Sequence, residues 1–243
     1  MILRRFMKHV TDQNWFAVTL DVIVVIVGIY LGLQVQEWNK DREEAIMINV
    51  FAQSMIEDLQ ADTKVLNQTI IFSENKLSTI ESFLVNIQAP QDAWDVEQFY
   101  LNMNTALRIA PFKSTDGTYQ QLKASGSLQF FDQALVNKMN AYDHQIKNTE
   151  FRDDIVERAE ADFLTSAETI INYYVLLQFR EDQIITQDMY IRFEDQEEID
   201  VFINTLTKKR EVLARALEEY RAQLIIAQSL LNDLILAYPA TNL

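Results

Sequence analysis

The chain shows two hydrophobic patterns, one continuous and one periodic. From Phe16 to Val35 the residues are mostly apolar, and Asp21 is the one charged residue among these 20 positions. At about 1.5 Å per residue, a helix of this length spans a hydrocarbon core of about 30 Å. Beyond Ile48, apolar residues recur at steps of three and four, which is typical of helices with one buried face. The patterns predict a transmembrane helix followed by amphipathic helices.

The periodic part begins with a long helix that meets no Gly or Pro until Pro90. Its apolar stripe consists of Ile48, Ala52, Met55, Leu59, Leu66, Ile70, Leu77, Ile80, Leu84 and Ile87. A shorter helix is predicted between Pro90 and Pro111. Its apolar face carries Trp94, Phe99, Met103 and Leu107. A third helix is predicted to begin at Thr118, which has capping-box spacing to Gln121, and to end at a left-handed C-cap, Gly126.

Two further long helices are predicted in the second half of the chain. Asp132 is the expected N-cap of a helix whose apolar positions continue to Tyr174 and Leu177. The last helix has a seven-residue repeat, typical of coiled coils, with Arg210 as its polar exception. Its two seams are Leu206, Leu213, Tyr220, Ala227 and Leu234, and Leu217, Leu224, Leu231 and Tyr238. We predict an all-α fold in which the transmembrane helix continues into an antiparallel helical bundle with long coiled-coil-like helices.

Composition supports helices and narrows the functional classes. The 243 residues include four Gly and three Pro, too few for the turns of a sheet with many strands. The net charge of −15 argues against nucleic acid as a partner, because phosphate backbones bind basic surfaces. The chain contains no cysteine, which excludes disulfides and thiolate chemistry.

Charged and aromatic residues around the apolar stretch predict its orientation. Trp15 and Trp38 flank it at a separation that lets both indoles lie at opposite membrane interfaces. Arg4, Arg5 and Lys8 precede it, so the positive-inside rule places the N-terminus in the cytoplasm. We therefore expect a protein of the bacterial inner membrane with a periplasmic or other extracytoplasmic domain. The predicted parts are a basic cytoplasmic tail at 1–14, an uncleaved signal-anchor helix at 15–38 and an acidic helical-bundle domain at 39–243.

One face of the predicted transmembrane helix suggests contact with a second helix. Asp21, Val25, Gly28, Gly32 and Gln36 follow helical spacing along that face. Gly28 and Gly32 form a GxxxG pair, which allows close approach of another helix, although such pairs also arise from the ordinary composition of membrane helices. Asp21 inside the span marks a partner or a pathway. Alternatively, its side chain reaches back to the interface or is protonated.

Through two motifs, the chain resembles a family of uncharacterised single-pass bacterial membrane proteins. In that family the anchor ends in LQxxxWNxxR and the helical domain contains TYxxLxxSGxL. The first motif is carried here by Leu33, Gln34, Trp38, Asn39 and Arg42. The second is carried by Tyr119, Leu122, Ser125, Gly126 and Leu128, followed downstream by Tyr142. The resemblance implies a membrane anchor and a helical domain but no activity. The second motif also has a structural interpretation, with Tyr119 and Leu122 packed inward and Ser125–Gly126 turning the chain.

The sequence offers little catalytic chemistry. The two histidines, His9 and His144, fall in the predicted tail and in a long helix, so they cannot form one site. Motifs for zinc hydrolases, serine hydrolases and nucleotide binding do not occur. We therefore expect no catalytic residue, metal or cofactor, and interpret the many carboxylates mainly as a solvated surface.

Three functional hypotheses follow. The favoured one is a membrane-anchored interaction or scaffold protein, whose partners are the lipid bilayer and either further copies of itself or another membrane protein. A second is an extracytoplasmic module that senses or binds a small molecule between its helices. An enzyme acting on envelope material through carboxylates or tyrosines is the remaining one.

Overall fold

A computed structural model describes residues 15–108, 112–168, 170–171 and 190–239, with side chains described at position 20 and from 22 onward. The helices are α1 (Trp15–Asn86), α2 (Val96–Leu107), α3 (Gly117–Ser125), α4 (Gln133–Glu168) and α5 (Gln196–Ala237). Short 3-10 turns occupy Gln91–Ala93 and Ser127–Phe130. Within the described ranges the chain is all-α, and a bridge between Ile171 and Ile191 is the one pairing of extended backbone.

The chain divides into two compact units at Val50, and α1 contributes to both. In the N-terminal unit, large apolar side chains between Leu20 and Val35 are each about half exposed or more. This part of α1 is long and apolar enough to cross a membrane. A hydrophobic surface on every side of a helix is what a lipid environment requires.

In the unit that begins at Phe51, α1, α4 and α5 pack along their lengths. Along α4 and α5 the ion-paired residues run in opposite order, since Lys138 pairs with Asp233 and Asp162 pairs with Lys208. The order along α1 and α5 is also opposite, with Gln53 bonded to the carbonyl of Tyr238 and Glu74 paired with Arg221. Along α1 and α4 it is the same, because Asp62 contacts Tyr142 and Lys76 contacts Glu160.

Phenylalanines from four helices meet in one part of the core. The ring of Phe202 on α5 contacts Phe83 of α1 at 5.8 Å, Phe99 of α2 at 5.9 Å and Phe163 of α4 at 5.3 Å between centroids. The apolar positions at seven-residue steps along α5 are also buried: Leu206, Leu213, Tyr220, Ala227 and Leu234. In the companion seam Leu217 is buried, and Leu224, Leu231 and Tyr238 are half-buried.

The start of α3 differs from the prediction. The helix begins at Gly117 after Asp116, so the predicted capping box between Thr118 and Gln121 is wrong. The amide of Thr118 instead donates a hydrogen bond of 3.2 Å to a carboxylate oxygen of Asp58 on α1. A side chain distant in sequence therefore satisfies this helix end, and a local motif cannot reveal it. The C-cap prediction is confirmed, because Gly126 has a φ of 73°.

The end of α4 also differs from the prediction. The helix stops at Glu168, whereas its apolar pattern was predicted to continue to Leu177. Beyond it, the amide of Arg192 donates to the carbonyl oxygen of Ile170 at 2.8 Å, and Ile171 forms the bridge to Ile191. This backbone pairing replaces the helical hydrogen bonds. Tyr174 and Leu177 lie outside the described residues.

The aromatic core gives a first test of the packing. Phe202 is fully buried, whereas Phe151 on α4 is 60% exposed. We expect Phe202→Ala to lower the free energy of unfolding by about 3–5 kcal/mol, because it removes ring contacts and leaves a cavity. Phe151→Ala is the matched control and should change stability by about 0.5 kcal/mol or less. Urea unfolding followed by circular dichroism measures both, and equal losses would contradict the assigned core.

Candidate functional site

The described part of the predicted helix-packing face is exposed. Four of its residues on α1 are exposed: Val25, Gly28, Gly32 and Gln36. Apart from adjoining residues and the nearby backbone of the same helix, no described heavy atom lies within 4 Å of the place where a Cβ would stand at Gly28 or Gly32. Trp38 is 63% exposed. The side chains of Trp15 and Asp21, and residues Arg4, Arg5 and Lys8, lie outside the described part of the chain.

The second family motif lies where α3 meets α1 and α4. Tyr119 and Leu122 are buried, as the structural interpretation predicted, and the Tyr119 hydroxyl donates to Asn140 at 2.7 Å. The Ser125 hydroxyl bonds to Ser127 at 2.8 Å beside the left-handed Gly126. Leu128 is half-buried in the following 3-10 turn. These residues together hold the connection between α3 and α4.

Tyr142 is hydrogen-bonded to a buried carboxylate, Asp62, which was not identified from the sequence. The hydroxyls of Tyr142 and Ser114 each donate to one oxygen of Asp62 at 2.6 Å, and the amide of Thr115 donates to the other at 2.7 Å. Asp62 is 1% exposed. Burial, followed by the hydrogen bond to Asp62, raises the pKa of the Tyr142 hydroxyl. Tyr142 is therefore a neutral donor that fixes Asp62 between α1, α4 and the segment before α3.

The acidic residues around Asp62 enclose a very small space. A cavity of about 10 Å³ is lined by four aspartates and two tyrosines: Asp58, Asp62, Asp116, Asp143, Tyr119 and Tyr142. A space of this size holds at most one water molecule. Within the described ranges, no group of three or more His, Asp or Glu side chains is arranged to hold a metal ion. Asp62 and Asp58 accept hydrogen bonds from backbone amides and hydroxyls of the same chain, and Asp143 accepts from the side chains of Gln120 and Lys147.

The main buried ionic cluster joins Lys76 of α1, Glu160 of α4 and Lys209 of α5. Lys76 Nζ lies 3.2 Å from Oε2 of Glu160, and Lys209 Nζ lies 2.7 Å from Oε1. Lys76 and Lys209 are 3% and 2% exposed. Lys76 also donates to the carbonyl oxygen of Arg108. We call these three side chains the lysine–glutamate triad.

The triad contains two potential positive charges and one negative charge. Among the described residues, no partner makes a well-aligned hydrogen bond to Lys209 Nζ or to Oε1 of Glu160, although the two atoms are in ion-pair contact. Lys209 Nζ also lies 4.6 Å from the ring centroid of Phe163. Desolvation, followed by repulsion from Lys76, lowers the pKa of Lys209 to about 7. Desolvation also lowers the pKa of Lys76, despite its contact with Glu160.

The sequence carried a signal for these buried polar residues. Lys209 stands three residues after Leu206 and four before Leu213, on the buried stripe of α5. The sequence analysis named Arg210 as the polar exception of the companion seam, and the Arg210 side chain is 40% exposed. It did not identify Lys209 as a buried residue. A charged residue placed at three- and four-residue steps between buried apolar neighbours is the sign that identifies such a site.

Charge balance in the triad predicts unequal effects of substitution. Glu160→Gln leaves two buried lysines without a counter-charge, and we expect it to lower the free energy of unfolding by about 3–5 kcal/mol. Lys209→Met keeps the Lys76–Glu160 pair and an apolar stem, so its effect should be much smaller. Lys208→Met is the control, because Lys208 forms an exposed ion pair with Asp162 worth about 1 kcal/mol or less. Equal losses for Glu160→Gln and Lys209→Met would contradict the charge argument.

The same variants give a pH dependence with a definite sign. Lys209 has an ordinary pKa of 10.5 in the unfolded chain and a pKa of about 7 in the folded protein. Between these values the unfolded chain binds more protons, so stability should rise with pH by up to about 1.4 kcal/mol per pH unit. Lys209→Met should flatten this rise, whereas Lys208→Met should not. Urea unfolding at intervals between these two pH values measures the slope.

A larger cavity of about 360 Å³ lies between the end of α1 and the start of α2. Its lining includes Phe83, Trp94, Phe99, Gln98 and Asn102. The sequence analysis placed Trp94 and Phe99 on one apolar face but did not predict a cavity. The volume falls within the range of small-molecule sites.

Comparisons with known proteins agree with the expectation of an uncharacterised family. Searches of curated proteins and of solved structures found no match. One family model, described as a family of unknown function, matches residues 21–193 of the 243. This range includes most of α1 and all of α2, α3 and α4. The chain therefore belongs to DUF6090, a family of unknown function.

Proposed function

We propose that this protein is a membrane-anchored interaction protein that associates through its transmembrane helix. In this proposal the apolar part of α1 spans the inner membrane of a bacterium, with the N-terminus in the cytoplasm. Residues 39–243 form an acidic helical bundle in the periplasm or its equivalent, in which α5 runs antiparallel to α1 and α4. The protein binds either further copies of itself or another membrane protein, as an accessory subunit of an envelope complex.

The observation that carries this proposal is the pair Gly28 and Gly32. Glycine inside a helix is less favourable than alanine by about 1 kcal/mol. Among the described residues, nothing packs close enough to either glycine to require the missing Cβ. Close approach of a helix from another chain is the remaining packing reason for small residues four positions apart. Val25 and Gln36 are exposed on the same face and extend the contact surface.

Packing in the rest of the chain supports association through the anchor. The helical seams of the bundle are a second candidate surface for association. The seam of Leu206, Leu213, Tyr220, Ala227 and Leu234 is buried within its own chain. It is therefore already occupied, and a partner would have to displace α1 or α4 to use it.

The alternative functions have different support. A small-molecule module is favoured by the cavity of about 360 Å³. An enzyme using carboxylates has less support, because the acid-lined cavity of about 10 Å³ has no room for a substrate. We retain the interaction protein as our proposal, because association accounts for the presence of Gly28 and Gly32, which packing within the chain does not require.

Substitution of the two glycines tests the proposed helix contact. We expect Gly28→Leu/Gly32→Leu to weaken the oligomer or its partner complex by about tenfold or more, because the added side chains hold the helices apart. The measurement is the mass of the full-length protein after extraction in a mild detergent, over a series of protein concentrations. Co-purifying proteins are identified in the same samples.

The matched control adds bulk to the opposite face of the same helix. Ile26 and Leu33 are both more than half exposed, and Ile26→Phe/Leu33→Phe should leave the association unchanged. A wild-type protein that is monomeric and free of partners at all concentrations would refute the proposal. An assembly that survives the glycine substitutions would place the contact elsewhere.

The absence of cysteine permits a direct test of the proposed orientation. Ile225 on α5 is 67% exposed, so Ile225→Cys provides a reactive site in the proposed periplasmic domain. In spheroplasts, a membrane-impermeant maleimide should label Ile225→Cys but not Met7→Cys in the proposed cytoplasmic tail. Both should react after the membrane is opened. Labelling in the reverse order would show that the N-terminus faces outward.

A further inference from the structure

The cavity between α1 and α2 has an apolar floor and a fixed aromatic wall. Its buried apolar lining consists of Phe83, Ile87 and Phe99. The Trp94 ring stacks on Phe99 with centroids 5.9 Å apart and meets Phe193 edge-on at 5.6 Å. Its indole N–H donates to the carbonyl oxygen of Ala89 at 2.8 Å. These contacts hold the ring in place, so the wall is formed before any ligand enters.

Carboxamides provide the polar part of the same cavity. Asn86, Gln98 and Asn102 are in the lining, and Asn102 is buried to 6% exposure. The Oδ1 of Asn102 accepts a hydrogen bond of 3.0 Å from the Gln98 side chain. A carboxamide has two donor positions and an oxygen with two lone pairs, so these groups can also bond to a ligand. Aromatic surface with a few polar groups is the usual composition of a small-molecule site.

The negative charge of the lining disfavours anionic ligands. Asp95 is its charged residue, and the lining that the structure describes contains no Lys or Arg. The Asp95 carboxylate accepts a hydrogen bond of 3.1 Å from the backbone N–H of Gln98, which fixes the carboxylate at the N-terminus of α2. An anion entering the cavity would meet this carboxylate without a compensating cation. A neutral or positively charged ligand would not be repelled.

We propose that this cavity binds a small planar aromatic molecule, neutral or singly cationic, that carries a hydrogen-bonding group. The aromatic part lies against Phe83, Phe99 and Trp94, and the polar group meets Asn102. The volume of about 360 Å³ accommodates a fused two-ring system. The site is independent of the proposed association through Gly28 and Gly32, so either proposal can fail without the other.

Three probes with the same ring system and different charges test the site. Indole is neutral, tryptamine is a cation and indole-3-acetate is an anion. Each is titrated into the full-length protein in nanodiscs, with empty nanodiscs as the blank, and binding is followed by calorimetry and by saturation-transfer NMR. We expect saturable binding of indole and tryptamine, and binding of indole-3-acetate weaker than that of tryptamine by about tenfold or more. Absence of saturable binding for indole and tryptamine would overturn the proposal, and equal binding of the anion would overturn its charge preference.

Variants then locate the bound probe. Val85 lines the cavity and is 66% exposed, so Val85→Trp should fill the entrance without removing a core side chain. Ile71→Trp is the matched control, because Ile71 is 58% exposed on the same helix and is not part of the lining. We expect Val85→Trp to weaken indole binding by about tenfold or more and Ile71→Trp to leave it unchanged.

Replacement of the polar group gives an independent measurement. Asn102→Leu keeps the approximate size of the side chain and removes its donors and acceptor, so indole affinity should fall by about tenfold. Circular dichroism spectra and urea midpoints establish that each variant is folded. Binding that is unaffected by both Val85→Trp and Asn102→Leu would place the probe elsewhere and refute the assigned site. If Asn102→Leu does not fold, the Val85→Trp and Ile71→Trp pair decides the question.

Discussion

The packing of the long helices depends on one carboxylate between two lysines. Glu160 on α4 contacts Lys76 from α1 and Lys209 from α5, and all three residues are buried. A buried ion is tolerated only when a counter-charge lies beside it. Since one residue corresponds to about 100° of rotation in an α-helix, a one-residue slip of any helix would turn its charged group away from the other two. The triad therefore fixes the register of three helices, whereas apolar contacts alone would accept several registers.

The parts of the core on either side of the triad are consistent with this register. Phe163 and Phe202 lie on the same helices as Glu160 and Lys209 and join the aromatic cluster. In the other direction Asp62 receives hydrogen bonds from Tyr142 and from the segment that leads to α3. The aromatic cluster contributes much apolar burial, because each ring removes a large area from water. The two polar clusters contribute less net stability but permit fewer alternative arrangements.

Helical periodicity predicted most of this architecture from the sequence. Stripes of apolar residues located α1, α2, α4 and α5, and most of their members are buried, including Leu59, Met103 and Leu234. The failures have a common cause, which is interaction between residues distant in sequence. Asp58 satisfies the start of α3, and pairing of Ile171 with Ile191 follows the end of α4. Neither contact leaves a local pattern.

The candidate sites were less predictable than the helices. Four buried charged residues stand at helical spacing from buried apolar residues: Asp62, Lys76, Glu160 and Lys209. The many carboxylates of the chain were interpreted mainly as a solvated surface, and the two lysines were not singled out. Register relative to the apolar stripe is more informative than abundance. Membership in a family of unknown function supplies no site residues to correct that interpretation. The cavity beside Trp94 depends on packing between two helices, which one-dimensional periodicity does not describe.

Charge and packing place different demands on an association of two copies. The net charge of −15 makes two acidic domains repel each other, and the large exposed apolar side chains beyond Val50 are scattered over several helices. At the described surface there, such scattered side chains offset little of the repulsion. At physiological ionic strength the repulsion is screened beyond about 8 Å, whereas helices that meet at glycines gain packing contacts that salt does not weaken. An association through Gly28 and Gly32 should therefore become stronger as salt is added, and an association between charged surfaces of opposite sign should become weaker.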